Sequence, residues 1–128
     1  NKNYGTTILV SETTREMIGK DFYCRYIDKV QVKGRKEPVN LFEPLFEGRP
    51  PDRVKAEIDT FEIGVEAYQG QAFEKALKIF TRLQDQFPCR LYQSYLDRIN
   101  GFIASPPPEG WTGIERREKL PATKLTTK

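Results

Sequence analysis

The stretch over residues 30–43, Val-Gln-Val-Lys-Gly-Arg-Lys-Glu-Pro-Val-Asn-Leu-Phe-Glu, constrains this chain more than any other. Polar and apolar side chains alternate before Lys33 and again after Pro38, which is the period of half-buried strands. Gly34 lies between the two halves and permits backbone conformations that a residue with a Cβ resists. The stretch therefore predicts two antiparallel strands joined by a tight turn.

Three cations, Lys33, Arg35 and Lys36, crowd the predicted turn. One interpretation is a solvated hairpin tip, because charge runs are usually exposed and lysines at a sheet edge discourage aggregation. The other is a phosphate site, in which Lys33 projects from the end of a strand as a point charge. Charge and spacing leave both interpretations open.

The length and composition predict a soluble chain with a modest core. The chain has 128 residues, of which 38% are hydrophobic, so we expect one domain or two small ones. No run approaches the roughly 18 apolar residues of a membrane helix, and no signal peptide is recognisable, so we expect no membrane contact. The net charge of +3, with acids mixed among the bases, gives nucleic-acid binding little support. Because there is no initiating Met, we expect a piece of a longer protein.

Side chains that commonly build metal and nucleophile sites are scarce. The chain has no His, which removes His-based nucleophile activation and the commonest general base. Cys24 and Cys89 lie far apart and have no metal-ligand spacing. We expect two buried or half-buried free thiols in a reducing compartment, and no metal site in this chain.

The first third of the chain predicts a strand, a short helix and the two hairpin strands. Ser11 is placed to cap the helix through the free amides of its first turn. We expect Met17 and Ile18 to point inward and Gly19 to end the helix as a left-handed cap. The predicted elements are a buried strand over residues 6–10, a helix over 12–18, and strands over 21–32 and 39–46.

Residues 48–52, Gly-Arg-Pro-Pro-Asp, mark a boundary, because proline interrupts strands and restricts the residue before it. Beyond it the apolar periodicity is helical. We expect Trp111 to pack back on the helices rather than to stack on a ligand, and residues 115–128 to fray. The apolar positions of the three predicted helices are Val54, Ile58, Phe61, Val65 and Tyr68; Phe73, Ala76, Leu77, Phe80 and Leu83; and, within residues 90–103, Leu91, Tyr95, Ile99 and Phe102.

The first two of these helices resemble one tetratricopeptide repeat. Small residues in such a pair let the helices approach closely. A single repeat cannot bury its own face, so we expect the third helix, the hairpin sheet or another chain to cover it. Ile63-Gly64, Ala76, Phe80 and Pro88 match the repeat pattern, whereas Tyr68 lies one place beyond the usual Tyr and Leu83 replaces an Ala.

The ordered motifs of the first third resemble the end of a class III nucleotidyl cyclase catalytic domain. They are Tyr-Gly-Thr-Thr-Ile-Leu-Val-Ser-Glu-Thr-Thr at 4–14, the strand at 22–30, Val-Lys-Gly-Arg at 32–35 and Glu-Pro-Val-Asn-Leu-Phe-Glu at 37–43. Some bacterial members also carry a helical segment and a Pro-rich stretch after the catalytic domain, similar to Tyr68-Gln69-Gly70, Phe73, Ala76, Pro106-Pro107-Pro108 and Trp111. The resemblance implies a C-terminal cyclase fragment of α+β class. Its expected fold is a partial cyclase-type β-α-β-β unit followed by an antiparallel, tetratricopeptide-like helical segment.

For the chemistry, the resemblance implies a parent that makes a cyclic nucleotide from a nucleoside triphosphate at a homodimer interface. Two Asp residues hold two Mg or Mn ions in this family, and an Asn and an Arg act on the ribose and the transition state. All four should lie upstream of Asn1, since Asp21, Asp28 and Asp52 match no metal position. Lys33 matches the family Lys that contacts the triphosphate. We therefore expect no catalytic residue and no cofactor in this chain, which alone should be inactive.

The predicted organisation is the end of a catalytic domain over residues 1–47, a linker over 48–52, a helical segment over 53–104 and a Pro-rich, charged tail over 105–128. ATP is preferred over GTP only as the commoner substrate of bacterial members. We expect a cytoplasmic chain, and the sensors and transmembrane helices of some relatives leave a membrane anchor upstream open. The alternative function is a protein-interaction or oligomerisation module built on the helical segment.

Overall fold

A computed structural model describes residues 8–117 and 124–126. The chain divides into two compact units: residues 1–52 with 114–128, called here the sheet unit, and residues 53–113, called the helical unit. None of the described helices is long and apolar enough to cross a membrane. The described elements are β1 (Ile8–Ser11), α1 (Glu12–Ile18), β2 (Phe22–Val32), β3 (Val39–Glu47), α2 (Asp52–Gln69), α3 (Phe73–Gln86), α4 (Arg90–Ala104), β4 (Glu115–Arg117) and β5 (Lys124–Thr126). The fold is therefore mixed α+β, as predicted.

The sheet unit is built on one sheet with the strand order β4-β2-β3-β1-β5. β2 and β3 form the antiparallel hairpin that the sequence predicts, with Val30 opposite Val39. The register shifts between Tyr26 and Asp28, so both Ile27 and Asp28 are buried on a strand that otherwise alternates. β1 pairs antiparallel with β3, while β4 and β5 add parallel pairs at the two edges.

Helix α1 has the predicted bounds and the predicted N-cap. The backbone nitrogen of Thr14 donates a hydrogen bond to the Oγ of Ser11 over 3.2 Å. The predicted orientation of Met17 is wrong, because its side chain is 68% exposed. Thr14 and Ile18 lie four residues apart and share the inward face, and Met17 is rotated away from that face. Gly19 has a right-handed conformation, with φ −63° and ψ −19°, rather than the predicted left-handed one.

The C-terminal residues correct a further prediction. Composition predicts that residues 115–128 fray, yet Glu115–Arg117 and Lys124–Thr126 form strands at opposite edges of the sheet. The edge of β2 supplies backbone hydrogen-bond partners for β4. This pairing stabilises β4 as a strand even though its residues are charged. Residues 118–123 and 127–128 of the predicted tail, and residues 6–7 at the start of the first predicted strand, lie outside the described residues.

The helical unit has an aromatic core. The ring of Phe80 stacks on Tyr95, with centroids 4.8 Å apart, and Phe61 packs edge-on against both rings. The Tyr92 hydroxyl donates a hydrogen bond to Glu57 over 2.6 Å. Ten of the predicted apolar positions are buried, namely Ile58, Phe61, Val65, Tyr68, Ala76, Phe80, Leu83, Leu91, Tyr95 and Ile99, while Val54, Phe73, Leu77 and Phe102 are half-buried.

Gly64 explains how α2 and α3 approach each other. A Cβ at this position would lie 2.9 Å from side-chain atoms of Ile79 and of Phe80. Real Cβ atoms essentially never come so close, so only glycine fits without movement of these side chains. The sequence predicts that small residues let these two helices approach closely, and Gly64 does so here.

The segment that follows α4 covers part of the aromatic core of the helical unit. The Trp111 ring lies 4.8 Å from the Phe102 ring and 5.1 Å from the Tyr68 ring, centroid to centroid, which confirms that Trp111 packs on the helices. The side-chain amide of Gln71 donates to the Trp111 carbonyl oxygen over 3.0 Å. Gln71 has φ 65°, an unusual value for a residue with a side chain. α4 and this segment thus supply cover that a lone helix pair needs.

Candidate phosphate site

The turn between β2 and β3 contains the site residue predicted from the sequence. The backbone nitrogen of Arg35 donates to the carbonyl oxygen of Val32 over 3.0 Å and closes the turn. Gly34 has φ +89°, a conformation that side chains with a Cβ rarely adopt. The requirement for a glycine between the two strands is therefore confirmed.

Lys33 is the first residue after β2, and its side chain is exposed. The side chains of Arg35, Lys36 and Glu37 are exposed in the same turn, so three cations accompany one acid. An anion that binds an exposed ammonium keeps much of its own hydration. The cost of desolvating the anion is therefore smaller than at a buried ammonium. The turn can therefore hold phosphate oxygens electrostatically, and its exposure is equally compatible with a solvated tip.

Gln31 fixes the shape of the turn, which the sequence reasoning missed. Its side-chain amide donates hydrogen bonds to the carbonyl oxygens of Arg35 and Lys36, the second over 3.1 Å. These bonds attach the basic turn to the end of β2. The only available signal is an amide with two donors just before the turn residues. Gln31 therefore reduces the conformational freedom of the segment that carries the charges.

One face of the sheet connects this turn with α1. Lys29 lies opposite Asn40, whose side chain donates to Glu12 of α1 over 3.3 Å. The Arg15 guanidinium lies over the Phe42 ring, 4.9 Å from its centroid. Because strand side chains alternate, Lys29 and Gln31 project from this same face. One face of β2 thus carries polar and cationic side chains in the residues that precede Lys33.

The opposite face of the hairpin holds buried polar groups. Arg25 lies opposite Glu43 in the β2–β3 register and is 8% exposed. Burial raises the pKa of the Glu43 carboxyl, and the positive charge of Arg25 opposes that increase. Asp28 is 1% exposed and accepts a hydrogen bond from the backbone nitrogen of Lys29 over 2.9 Å. Within residues 8–117 and 124–126, no group of three or more Cys, Asp and Glu side chains is arranged to hold a metal ion.

The two cysteines have different environments. Cys24 is half-buried, as predicted, but Cys89 is exposed, which contradicts the prediction for that thiol. Cys89 is the N-cap residue of α4 and belongs to a short connection at the surface. Burial raises the pKa of the Cys24 thiol, while Arg15 acts to lower it. Cys24 borders a pocket of about 260 Å³ whose other lining residues are Arg15, Glu16, Gly19, Phe22 and Tyr23.

Comparison with known proteins finds a similarity to one protein that is named a cyclase. A curated protein of Dictyostelium discoideum, named "Adenylate cyclase, terminal-differentiation specific", is 34% identical to this chain over 92 residues. The match covers 68% of this chain, which spans only 4% of that relative. If the matched 68% of the chain is continuous, it includes both α2 and α3, because these helices lie in the middle of the sequence. No protein-family model and no solved structure matches the chain.

Proposed function

We propose that this chain is the C-terminal part of a nucleotidyl cyclase that converts ATP into cyclic AMP and pyrophosphate in signal transduction. The observation that carries the proposal is the 34% identity to a protein named an adenylate cyclase. The β-α-β-β order of the sheet unit supports it, because the motifs that resemble a cyclase fall on β1, α1, β2 and β3 in the expected sequence. The helix pair belongs to the same proposal, since the matched share of the chain includes it.

In this proposal Lys33 contacts the triphosphate of the substrate. Its exposed ammonium follows the end of β2, in a turn that Gln31 ties down by two hydrogen bonds. A point charge held there would neutralise part of the negative charge of the phosphates. That contact favours binding of the substrate and the transition state alike, so it does not amount to catalysis.

The residues that the structure describes offer no site that fits the catalytic metals. Asp28 is buried against the backbone, and the described residues contain no acidic group arranged for a metal. The Mg or Mn ions, with the Asp, Asn and Arg residues of the family, are therefore assigned to an upstream segment. This chain by itself lacks transition-state stabilisation and is expected to make no cyclic AMP. Bacterial origin, a homodimeric parent and a cytoplasmic location are parts of the same proposal.

The experiment is to read the coding sequence upstream of Asn1, express the joined protein and measure cyclic AMP formed from ATP. We expect an upstream segment with the two Asp residues and the Asn-Arg helix, and activity only when that segment is attached. An upstream segment without these residues, or a joined protein that makes no cyclic nucleotide, would contradict the proposal. GTP assayed in parallel decides which nucleotide is used.

The alternative is an oligomerisation module in which the helical unit binds a second copy of the chain. The observation favouring it is the exposure of large apolar side chains in this unit: Ile63 is 51% exposed, and Phe87 and Ile103 are each 39% exposed. Light scattering after size exclusion, over a range of concentrations, measures this directly. A dimer that Ile63→Ser converts to a monomer supports the module, and a monomer at every concentration removes it. The two functions are compatible, because the cyclase proposal also includes a dimer.

A further inference from the structure

Strand β4 brings another basic residue to the edge of the candidate phosphate site. β4 runs parallel to β2, with Arg116 opposite Gln31 and Arg117 opposite Val32. Residues opposite each other on neighbouring strands project from the same face of a sheet, and successive residues alternate. Arg116 therefore shares its face with Gln31, the residue whose side chain holds the basic turn.

Arg116 also lies close to Lys33. Lys33 comes two residues after Gln31, in the turn that directly follows β2 and is closed by the hydrogen bond from Arg35 to Val32. Neighbouring strands lie about 5 Å apart and each strand residue rises about 3.3 Å, so an extended path from Gln31 to Lys33 would put the Cα atoms of Arg116 and Lys33 about 8 Å apart. Both side chains are exposed, and both are long and flexible enough to reach one ligand.

We propose that Arg116 is a second phosphate-binding cation, and that it and Lys33 together bind the polyphosphate chain of a nucleoside triphosphate. The inference rests on the proposed function, in which Lys33 contacts that chain. Consecutive phosphates carry several negative charges along a line, so two neighbouring cations match them better than one. Arginine adds paired hydrogen bonds to phosphate oxygens, which a lysine does not form.

The proposed site joins two residues that lie far apart in the sequence. Lys33 precedes the helical unit in the sequence and Arg116 follows it. The site is complete only when the chain returns to the sheet after the helical unit and adds β4 to the edge of β2. In the proposal, β4 contributes a ligand-binding side chain as well as backbone hydrogen bonds.

The test is a titration of the 128-residue chain with sodium tripolyphosphate at low salt, followed by backbone amide chemical shifts. Arg116→Gln and Lys33→Gln should each weaken binding about threefold, as expected for loss of an exposed charge pair. Arg116→Lys should keep most of the affinity. The matched control is Arg49→Gln, because Arg49 is exposed beyond Glu47, which pairs with Phe22 at the opposite end of the hairpin. That control should bind as tightly as the unmodified chain.

Each outcome has a separate meaning. If Lys33→Gln weakens binding and Arg116→Gln does not, the inference on Arg116 is wrong and the proposed role of Lys33 survives. If neither variant weakens binding, both are wrong. Equal weakening by Arg49→Gln would mean that only net charge matters, which also overturns the inference. Should Arg116→Gln disturb the fold, the shifts of the unmodified chain decide: the Arg116 amide must move with that of Lys33, and the Arg49 amide must not.

Discussion

The helical unit and the sheet unit differ in where their most distinctive side chains lie. In the helical unit the aromatic side chains point into a core, where Phe61, Phe80 and Tyr95 contact one another. In the sheet unit the basic side chains lie on a turn and an edge strand, where Lys33 and Arg116 are exposed. The helical unit is thus organised by packing, whereas the sheet unit exposes positive charges on a turn and an edge strand. Substitutions should therefore separate into effects on stability and effects on binding.

The largest effect is expected in the core of the helical unit. Phe80→Ala removes a ring that is 0% exposed and stacked on Tyr95, and should cost about 3–5 kcal/mol of the free energy of unfolding. The fluorescence of Trp111, the single tryptophan, follows unfolding of this unit in urea. Phe87→Ala is the control, because Phe87 is 39% exposed and its loss should cost far less. Equal losses for the two variants would show that this core does not determine stability.

The second prediction concerns the close approach of α2 and α3. Gly64→Ala places a Cβ against Ile79 and Phe80 and should destabilise the helical unit by about 1–3 kcal/mol. Gly101→Ala, in α4, has no atom within 4 Å of the added Cβ and should stabilise by about 0.5–1 kcal/mol. Urea unfolding followed by Trp111 fluorescence measures both changes. Two variants shifted in the same direction would refute the role given to Gly64.

The third prediction tests the start of α1 in the sheet unit. Ser11→Ala removes the acceptor for the Thr14 amide and should cost about 1 kcal/mol. Trp111 lies in the other unit, so the readout is the labelling rate of the Cys24 thiol in a Cys89→Ser background. Faster labelling is expected for Ser11→Ala and not for Thr13→Ala, since Thr13 is exposed on the same helix. An unchanged rate would mean that the cap does not hold α1 in place.

The smallest expected effect depends on pH. Burial raises the pKa of Glu43, so the folded chain binds this proton more tightly than the unfolded chain does. Stability contributed by Glu43 is therefore fully present below its ordinary pKa of 4.5 and is lost as pH rises through the raised value. Glu43→Gln should remove this loss. The free energy of unfolding of the variant should therefore increase relative to that of the unmodified chain as pH rises from 4 to 7. Urea midpoints across that range measure the difference, and parallel curves would contradict the prediction.

The comparison also shows which parts of the fold the sequence could predict. Helix α1 and the three helices of the helical unit follow from local periodicity, capping and breaking residues, as do the hairpin and Gly34. β4 was not predicted, because its three residues become a strand only beside β2, more than 80 residues earlier in the chain. The same reason hid Arg116, whereas Lys33 lies within a recognisable motif. Gln31 was missed because its role depends on the folded path of the turn.

The most direct test of the account is the rate of cyclic AMP formation by this chain joined to the upstream segment that the proposal expects, before and after Lys33→Ala. If Lys33 contacts the triphosphate, the variant should lose about tenfold in kcat/KM for ATP, since a hydrogen bond to a charged group is removed. Arg49→Ala, at the far end of the hairpin, should keep the unmodified value. Cyclase activity that is unchanged by Lys33→Ala would remove Lys33 from the site, and a joined protein without cyclase activity would contradict the account as a whole.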